Sequence, residues 1–196
     1  HVAPVEQVTP RESLSPHGWA VLSASQRRGL IEWNEDTVDA IYSAPDHGNS
    51  RVHCVTDQPL PAAIAAVRAE IVEQGLAPAV VYELGEALKT YGSPYREQAP
   101  APPQGAGSDA LYVGDEGAYL WPAAVDAAVA LLGALGIQPV RVGVGRSSGY
   151  LASSLGFPGV ASDLARANLD DIRAAGASRV IALSPGDAFT LNPPWR

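Results

Sequence analysis

The spacing of apolar residues changes part-way along this 196-residue chain. In the first half, apolar residues recur at three- and four-residue intervals, the spacing of one face of a helix. Ile64, Val67 and Ile71 form such a stripe, and Gly75 follows at a position typical of a helix end. The pattern predicts helices over 36–42, 60–74 and 78–89, and no strand pattern stands out before residue 92. The first half is therefore expected to be helical.

The second half has short apolar runs rich in β-branched residues, at 110–113, 139–144 and 179–183. Such runs are typical of parallel strands buried on both faces. Helical patterns lie between them at 121–135 and 162–175, the second opening on Ser162 or Asp163 as its cap. Alternating strands and helices predict a three-layer α/β domain around a small parallel sheet. The loops that follow the strands should then meet at one edge of that sheet.

Residues 93–108 separate the two patterns and are rich in Pro, Ala and Gly. Such a composition buries too little apolar surface to offset the entropy of ordering, which favours a linker. The predicted organisation is a helical segment over 1–92, a linker over 93–108 and an α/β domain over 109–196.

Composition and charge narrow the classes of function. Hydrophobic residues make up 46% of the chain, enough for a buried core, and the net charge of −8 argues against binding nucleic acid or anionic lipid. No segment approaches the roughly 20 apolar residues of a membrane span, and no signal-peptide pattern is present, so a cytoplasmic location is expected. Cys54 is the only cysteine, which excludes an intrachain disulfide and any cluster held by three or four thiolates of this chain.

Three polar motifs directly follow the three predicted strands. They are Gly114-Asp115, Ser147-Ser148-Gly149 and Ser184-Pro185-Gly186-Asp187. Read with cysteine at Asp115, Ser147, Ser148, Ser184 and Asp187, residues 109–191 resemble the cysteine-rich "CCG" domain of heterodisulfide reductase B-type and glycolate oxidase iron–sulfur subunits. In that family the matching loops read Gly-Cys, Cys-Cys-Gly and Cys-Pro-Gly-Cys, and together they hold an iron–sulfur centre. The resemblance implies that the scaffold is kept and the ligands are replaced.

The first half resembles the helical ferredoxin-like unit that precedes such domains. Its signature is Cys-x2-Cys-Gly-x-Cys-x3-Cys, a spacing that wraps one cubane cluster. Aligned on Cys54, the other ligand positions hold Ala44, His47 and Ser50, and Gly48 stands where the motif has glycine. The resemblance thus implies a degenerate ferredoxin-like segment in which one ligand of four remains.

These substitutions remove the chemistry that the resemblance would otherwise imply. Iron in sulfide clusters is held by thiolates, and a neutral serine hydroxyl is a poor replacement. We therefore predict that the protein binds no cluster or other cofactor and carries no electrons. The predicted function is a structural or regulatory component of a multisubunit oxidoreductase, not catalytic alone, that docks flavin- or iron–sulfur-bearing subunits.

The alternative is a small-molecule or metal-binding α/β domain that uses Asp115, Ser147, Ser148 and Asp187 at the edge of the sheet. A zinc site is a further possibility, since imidazole, thiolate and carboxylate occur close together in sequence. Its ligands would come from Asp46, His47, His53, Cys54 and Asp57. Two carboxylates, Asp115 and Asp187, are a weak basis for a magnesium or calcium site.

Two further motifs overlap the second loop. Residues 145–149 spell G-x-S-x-G, the nucleophile elbow of serine hydrolases, but all four histidines precede Ser147 whereas the hydrolase order places histidine last. Gly143, Gly145 and Gly149 form a glycine-rich turn that resembles a phosphate-binding loop, with a spacing one residue off the dinucleotide fingerprint. A glycine-rich turn without a ligand is the preferred interpretation.

Four tryptophans suggest an interface, because tryptophan is enriched in binding hot spots. We expect Trp121 to pack on its own sheet, while Trp195 lies beside Pro193 and Pro194 at the end of the chain.

Overall fold

The computed structural model describes residues 3–46, 48–95 and 105–192. The strands are β1 (Asp109–Tyr112), β2 (Val140–Val142) and β3 (Arg179–Ala182). The helices before the strands are α1 (Pro4–Val8), a 3-10 helix (Glu12–Leu14), α2 (Pro16–Arg27), α3 (Glu35–Tyr42), α4 (Asn49–Val52), α5 (Leu60–Glu73) and α6 (Ala79–Tyr91). The helices that follow are α7 (Gly114–Tyr119), α8 (Pro122–Ala134), α9 (Tyr150–Leu155), α10 (Pro158–Ala174) and α11 (Pro185–Leu191).

The chain forms two compact units. The first comprises residues 1–82 with 154–157, and the second comprises 83–153 with 158–196. One boundary between the units falls within α6, after residue 82, and two more flank residues 154–157. The sequence instead predicted a single boundary, in a linker over 93–108. Residues 96–104 of that linker lie outside the described residues.

The first unit is helical, as predicted, and its core lies between α2, α3 and α5. Trp19, Ile41, Val67 and Ile71 are buried at its centre. Local chemistry fixes where two of these helices begin. Ser15 caps α2 by accepting from the amide of Gly18, and Asn34 and Thr37 form a reciprocal capping box at the start of α3.

Arg68 is a buried cation that holds the end of α3 in place. Its Nη2 donates to the carbonyl oxygens of Ile41 and Ala44 at 3.0 and 2.7 Å, and Nη1 donates to the carbonyl of Ser154 at 2.9 Å. The guanidinium also lies over the Tyr42 ring, with its carbon 5.1 Å from the ring centroid. The last carbonyls of a helix lack partners within the helix and carry partial negative charge, so a forked cation satisfies both requirements.

The second unit is the predicted three-layer α/β domain. Its three parallel strands lie in the order β2-β1-β3, with Ala110 of the central strand opposite Val140 and Val180. Successive strand residues face opposite sides of the sheet, so Leu111 packs against α8 while Tyr112 packs against α10.

The predicted helices at 36–42, 60–74, 78–89 and 121–135 are confirmed within two residues, and all three strands are confirmed. Gly75 follows α5 with a φ of 74°, a conformation that glycine accommodates readily. The prediction for α10 was wrong at its start. This helix begins at Pro158, a favoured first-turn residue, so Ser162 and Asp163 lie inside it and cap nothing.

Four helices of at least six residues were missed, namely α2, α7, α9 and α11. Trp121 does not pack on the sheet as expected, because it is the N-cap residue of α8 and its surface is 64% exposed. Among the described residues, no helix is both long enough and apolar enough to cross a membrane.

We predict that Arg68→Lys lowers the free energy of unfolding by about 2–4 kcal/mol. A lysine ammonium cannot reach the separate carbonyls that the guanidinium fork spans, so buried acceptors lose their donors. Urea unfolding followed by tryptophan fluorescence checks this, because Trp19 and Trp33 lie in the affected core. Arg28→Lys is the matched control at an exposed position and should change stability by less than about 0.5 kcal/mol. Equal effects of the two substitutions would contradict the role given to Arg68.

Candidate functional site

The loops after the three strands meet at one edge of the sheet, as the topology predicted. We call this edge, formed by residues 113–116, 143–149 and 183–187, the carboxyl edge. The amide of Gly145 donates to the carbonyl of Gly114 at 3.1 Å, which joins the first two loops. A Cβ atom placed on Gly114 would lie 3.5 Å from Oδ2 of Asp187, so the third loop reaches the first. The motifs predicted to converge are therefore brought together.

Tyr112, the last residue of β1, fills the space beneath these loops. Its side chain is fully buried and its hydroxyl donates to the carbonyl of Arg146 at 2.6 Å. Gly143 lies so close that a Cβ atom would approach the ring to 2.2 Å, and its φ of 62° also favours glycine. Burial raises the pKa of the Tyr112 hydroxyl well above its ordinary value, and the nearby Asp187 and Asp115 raise it further. The hydroxyl therefore remains protonated and serves as a donor.

The serines at the predicted ligand positions accept hydrogen bonds from their own loops. Ser147 and Ser148 are buried, and their Oγ atoms accept from the amides of Gly149 at 3.4 Å and Tyr150 at 3.3 Å. Ser184 Oγ accepts from the amide of Asp187 at 3.1 Å. These hydroxyls therefore satisfy amides of their own loops. Ser184 is thereby the N-cap residue of α11.

A buried asparagine on α10 fixes the second loop from below. Asn168 Nδ2 donates to the carbonyl of Ser147 at 2.9 Å. Its Oδ1 accepts from Nη1 of Arg146 at 3.4 Å, and the same Nη1 donates to Oδ2 of Asp171 at 2.5 Å. The loop is thus connected to the helix by amide, guanidinium and carboxylate groups, and its shape is determined without a ligand.

Asp115 is the buried carboxylate of the carboxyl edge, with only 6% of its surface exposed. Burial raises the pKa of Asp115 to about 6. Hydrogen bonds from the amides of Asp115 and Glu116 oppose that rise, and the nearby carboxylates of Asp187 and Glu116 add to it.

The chain leaves neighbouring strands towards opposite faces of the sheet. From β1 it continues to α8 on one face. From β3 it continues to α11, whose Leu191 packs on the other face. A crevice at such a divergence is the usual binding position in open α/β sheets.

The donors at the carboxyl edge do not fit an iron–sulfur cluster. Every residue at a predicted ligand position presents oxygen, and the three serine oxygens are occupied by loop amides. Thiolates are the ligands that such clusters require. Within the described part of the chain, no three His, Cys, Asp or Glu side chains lie together as a metal-binding group.

The degenerate ferredoxin-like positions are only partly brought together. Ala44 and Ser50 line the same small cavity as Trp19 and Arg68, whose volume of about 10 Å³ holds roughly one water molecule. Cys54 does not line this cavity, and its Sγ lies 3.3 Å from Oγ1 of Thr56. His47 lies outside the described residues.

The groups considered for zinc have other contacts. Arg51 donates to both carboxylate oxygens of Asp57, at 2.8 and 3.0 Å, and these contacts hold the pKa of Asp57 below its ordinary value. His53 Nδ1 lies 3.0 Å from the carbonyl of Asn49. Hydrogen bonds to Thr56 and nearby amides lower the pKa of the Cys54 thiol.

The two motifs overlapping the second loop gain no support from its geometry. Ser147 is buried, and every histidine of the chain belongs by position to the first unit. The amides expected to bind a phosphate already have protein acceptors. Those of Gly145, Arg146 and Ser147 donate to Gly114, Gly143 and Gly92.

Two residues that support the loops of the carboxyl edge were missed from the sequence, namely Tyr112 and Asn168. Tyr112 reads as a core strand residue, and nothing local shows that its hydroxyl reaches a loop. The sequence could have identified Asn168, because it lies between Leu164 and Ile172 on the apolar stripe of α10. A polar residue in such a stripe usually has a buried partner.

Comparisons of the chain with protein families, with curated proteins and with solved structures found no match.

We predict that Asp115→Asn changes how stability depends on pH. Because the folded-state pKa is raised from 3.8 to about 6, the folded protein binds more protons than the unfolded chain between these values. Stability is therefore lost as pH rises through this window, by about 3 kcal/mol. Asparagine removes that loss, so the variant should gain on the native protein by this amount between about pH 4 and about pH 7.

Urea unfolding at several pH values measures the difference. Asp39→Asn is the matched control, because it makes the same change of charge at an exposed position on α3. A constant difference in stability between the Asp115→Asn variant and the native protein across the pH range would show that Asp115 ionises normally.

Proposed function

We propose that this protein is a cluster-less homologue of an iron–sulfur oxidoreductase subunit, with a structural or regulatory role in a multisubunit redox complex. One observation supports this most directly. The three loops that hold the cluster in the family it resembles converge here at the carboxyl edge, and the hydroxyls at the cysteine positions accept from loop amides instead. The scaffold would then serve to present a surface, because its loops are satisfied without iron.

The proposed partners are flavin- or iron–sulfur-bearing subunits of the same complex, in the cytoplasm. The negative net charge supports a protein partner over a nucleic acid. The lone cysteine is consistent with a reducing compartment, where structural disulfides are rare. Electrons would pass through the partners, and this chain would supply contacts.

A second candidate function is the binding of a small molecule at the carboxyl edge, between the loops after β1 and β3. Asp115 favours it, because a buried carboxylate with a raised pKa at a strand divergence is a common feature of binding sites. In this case a ligand should raise the thermal unfolding temperature, and Asp115→Asn should abolish that rise.

Restoring the cysteines tests the resemblance and the absence of a cluster together. We expect the native protein to bind no stoichiometric iron or acid-labile sulfide after anaerobic reconstitution. A five-fold variant should bind both and show a visible absorption band, because the loops already converge. Its changes are Asp115→Cys, Ser147→Cys, Ser148→Cys, Ser184→Cys and Asp187→Cys.

The matched control carries five cysteines at exposed positions of the first unit and should remain colourless. Its substituted residues are Ser13, Glu32, Asp39, Thr56 and Glu73. Stoichiometric iron in the native protein would contradict the proposed function. A colourless five-fold variant that still folds would contradict the assignment of these residues to ligand positions.

The partners are tested by recovering the tagged full chain from the cells in which it naturally occurs. The proposal expects co-purification of subunits that carry flavin or iron, identified by absorption spectra and metal analysis of the recovered complex. Recovery of the chain alone, with a thermal shift on addition of a small molecule, would favour the second candidate function.

A further inference from the structure

The first unit has a groove between the start of α3 and the segment that joins α5 to α6. Its volume is about 510 Å³, within the range of sites that bind small molecules. Trp33 and Val38 are the buried residues of its lining, and Leu76, Ala77 and Pro78 add apolar surface from the joining segment. The other lining residues are Asn34, Glu35, Asp39, Gly75 and Ala79. We call this recess the α3 groove.

The α3 helix makes its side of the groove acidic. Glu35 and Asp39 lie one helical turn apart, and both are exposed. Neither carboxylate has an ion-pair partner in the part of the chain that the structure describes. The side chain of Asn34 is already paired with Thr37 in the capping box. The group that complements this side is therefore a cation.

The α6 helix contributes hydrogen-bond donors to the same groove. It begins at Ala79, and the side chain of the preceding residue, Pro78, has no polar atom with which to cap it. The amide of Val81 donates to the carbonyl of Pro78 at 2.9 Å, but those of Ala79 and Val80 have no acceptor among the described residues. First-turn amides carry the partial positive charge of a helix and favour an anion.

Trp33 adds a further donor of this kind, independent of the helix end. It is only 8% exposed, and its Nε1–H has no acceptor within the described ranges. Leaving a buried donor without an acceptor is costly, and most buried polar groups in proteins are paired. An anionic group bound in the α3 groove would supply an acceptor.

We propose that the α3 groove binds an amino acid with an apolar side chain, as its zwitterion. The ammonium group pairs with Glu35 and Asp39, the carboxylate accepts from the donors at Ala79 and Trp33, and the side chain packs on the apolar lining. Each feature excludes another class of ligand. A metal ion would leave the apolar surface unused, a simple anion would face two carboxylates, and a hydrocarbon would leave the donors unpaired.

Isothermal titration calorimetry of the full chain with L-leucine tests this inference. We expect saturable binding of one molecule per chain. The amine 3-methylbutylamine lacks the carboxylate of leucine, and 4-methylpentanoic acid lacks its ammonium group. Each analogue should bind at least about tenfold more weakly, because each loses one set of charged contacts. This comparison uses the native protein, so it does not depend on the folding of a variant.

Substitutions assign the two charged ends of the ligand to the two sides of the groove. Asp39→Asn should weaken the binding of L-leucine by about tenfold and should not weaken that of 4-methylpentanoic acid. Asp36→Asn is the matched control and should leave both affinities unchanged, because Asp36 is an exposed residue of α3 that does not line the groove. Trp33→Phe keeps an aromatic ring and removes the N–H. It should weaken the binding of L-leucine and of the acid but not that of the amine.

Absence of binding of both L-leucine and L-phenylalanine at millimolar concentrations would overturn the inference. Equal affinities for leucine and its two analogues, or equal effects of Asp39→Asn and Asp36→Asn, would overturn it as well. The groove residues belong to the first unit, whereas Asp115 and the carboxyl edge belong to the second. Iron content does not enter these measurements, so their outcome is separate from that of the proposed function.

Discussion

The carboxyl edge of the sheet depends on the side chain of Tyr112. This ring stands at the end of the central strand and fills the space into which the loops after β1 and β2 turn. Its hydroxyl donates to the carbonyl of Arg146 and so satisfies that acceptor. Gly143 must lack a side chain for the ring to fit. The position of Arg146, and with it the contact to Asn168, follows from this one arrangement.

The polar groups around Tyr112 explain how a sheet edge of this kind can remain ordered without a metal centre. Loop amides at a buried sheet edge need hydrogen-bond acceptors. Here serine hydroxyl oxygens two or three residues away accept hydrogen bonds from such amides, a local arrangement that serine makes readily. The same residue type is a poor ligand for iron and a good acceptor for the backbone. The loops therefore keep their shape through their own hydrogen bonds.

The sequence was sufficient for the architecture because the signals for strands and long helices are periodic and extend over many residues. The three strands and helices such as α5 and α8 were found in this way. Short helices such as α7, α9 and α11 have one or two turns, too few for a periodic signal, and they are held by tertiary contacts. The convergence of Asp115 and Asp187 followed from topology alone. The roles of Tyr112 and Asn168 did not, because each depends on a partner more than 20 residues away in sequence.

The four residues 154–157 belong to the first unit although their neighbours on both sides belong to the second. The carbonyl of Ser154 is one of the acceptors of Arg68, and the carbonyl of Leu155 accepts from the Tyr42 hydroxyl at 3.1 Å. Expression of the two sequence halves as separate fragments would therefore leave a buried guanidinium and a phenol with fewer acceptors. The segments of the two units alternate along the chain. A chimaera joined within residues 93–108 would therefore carry the first unit without residues 154–157 and without the acceptors that these residues supply.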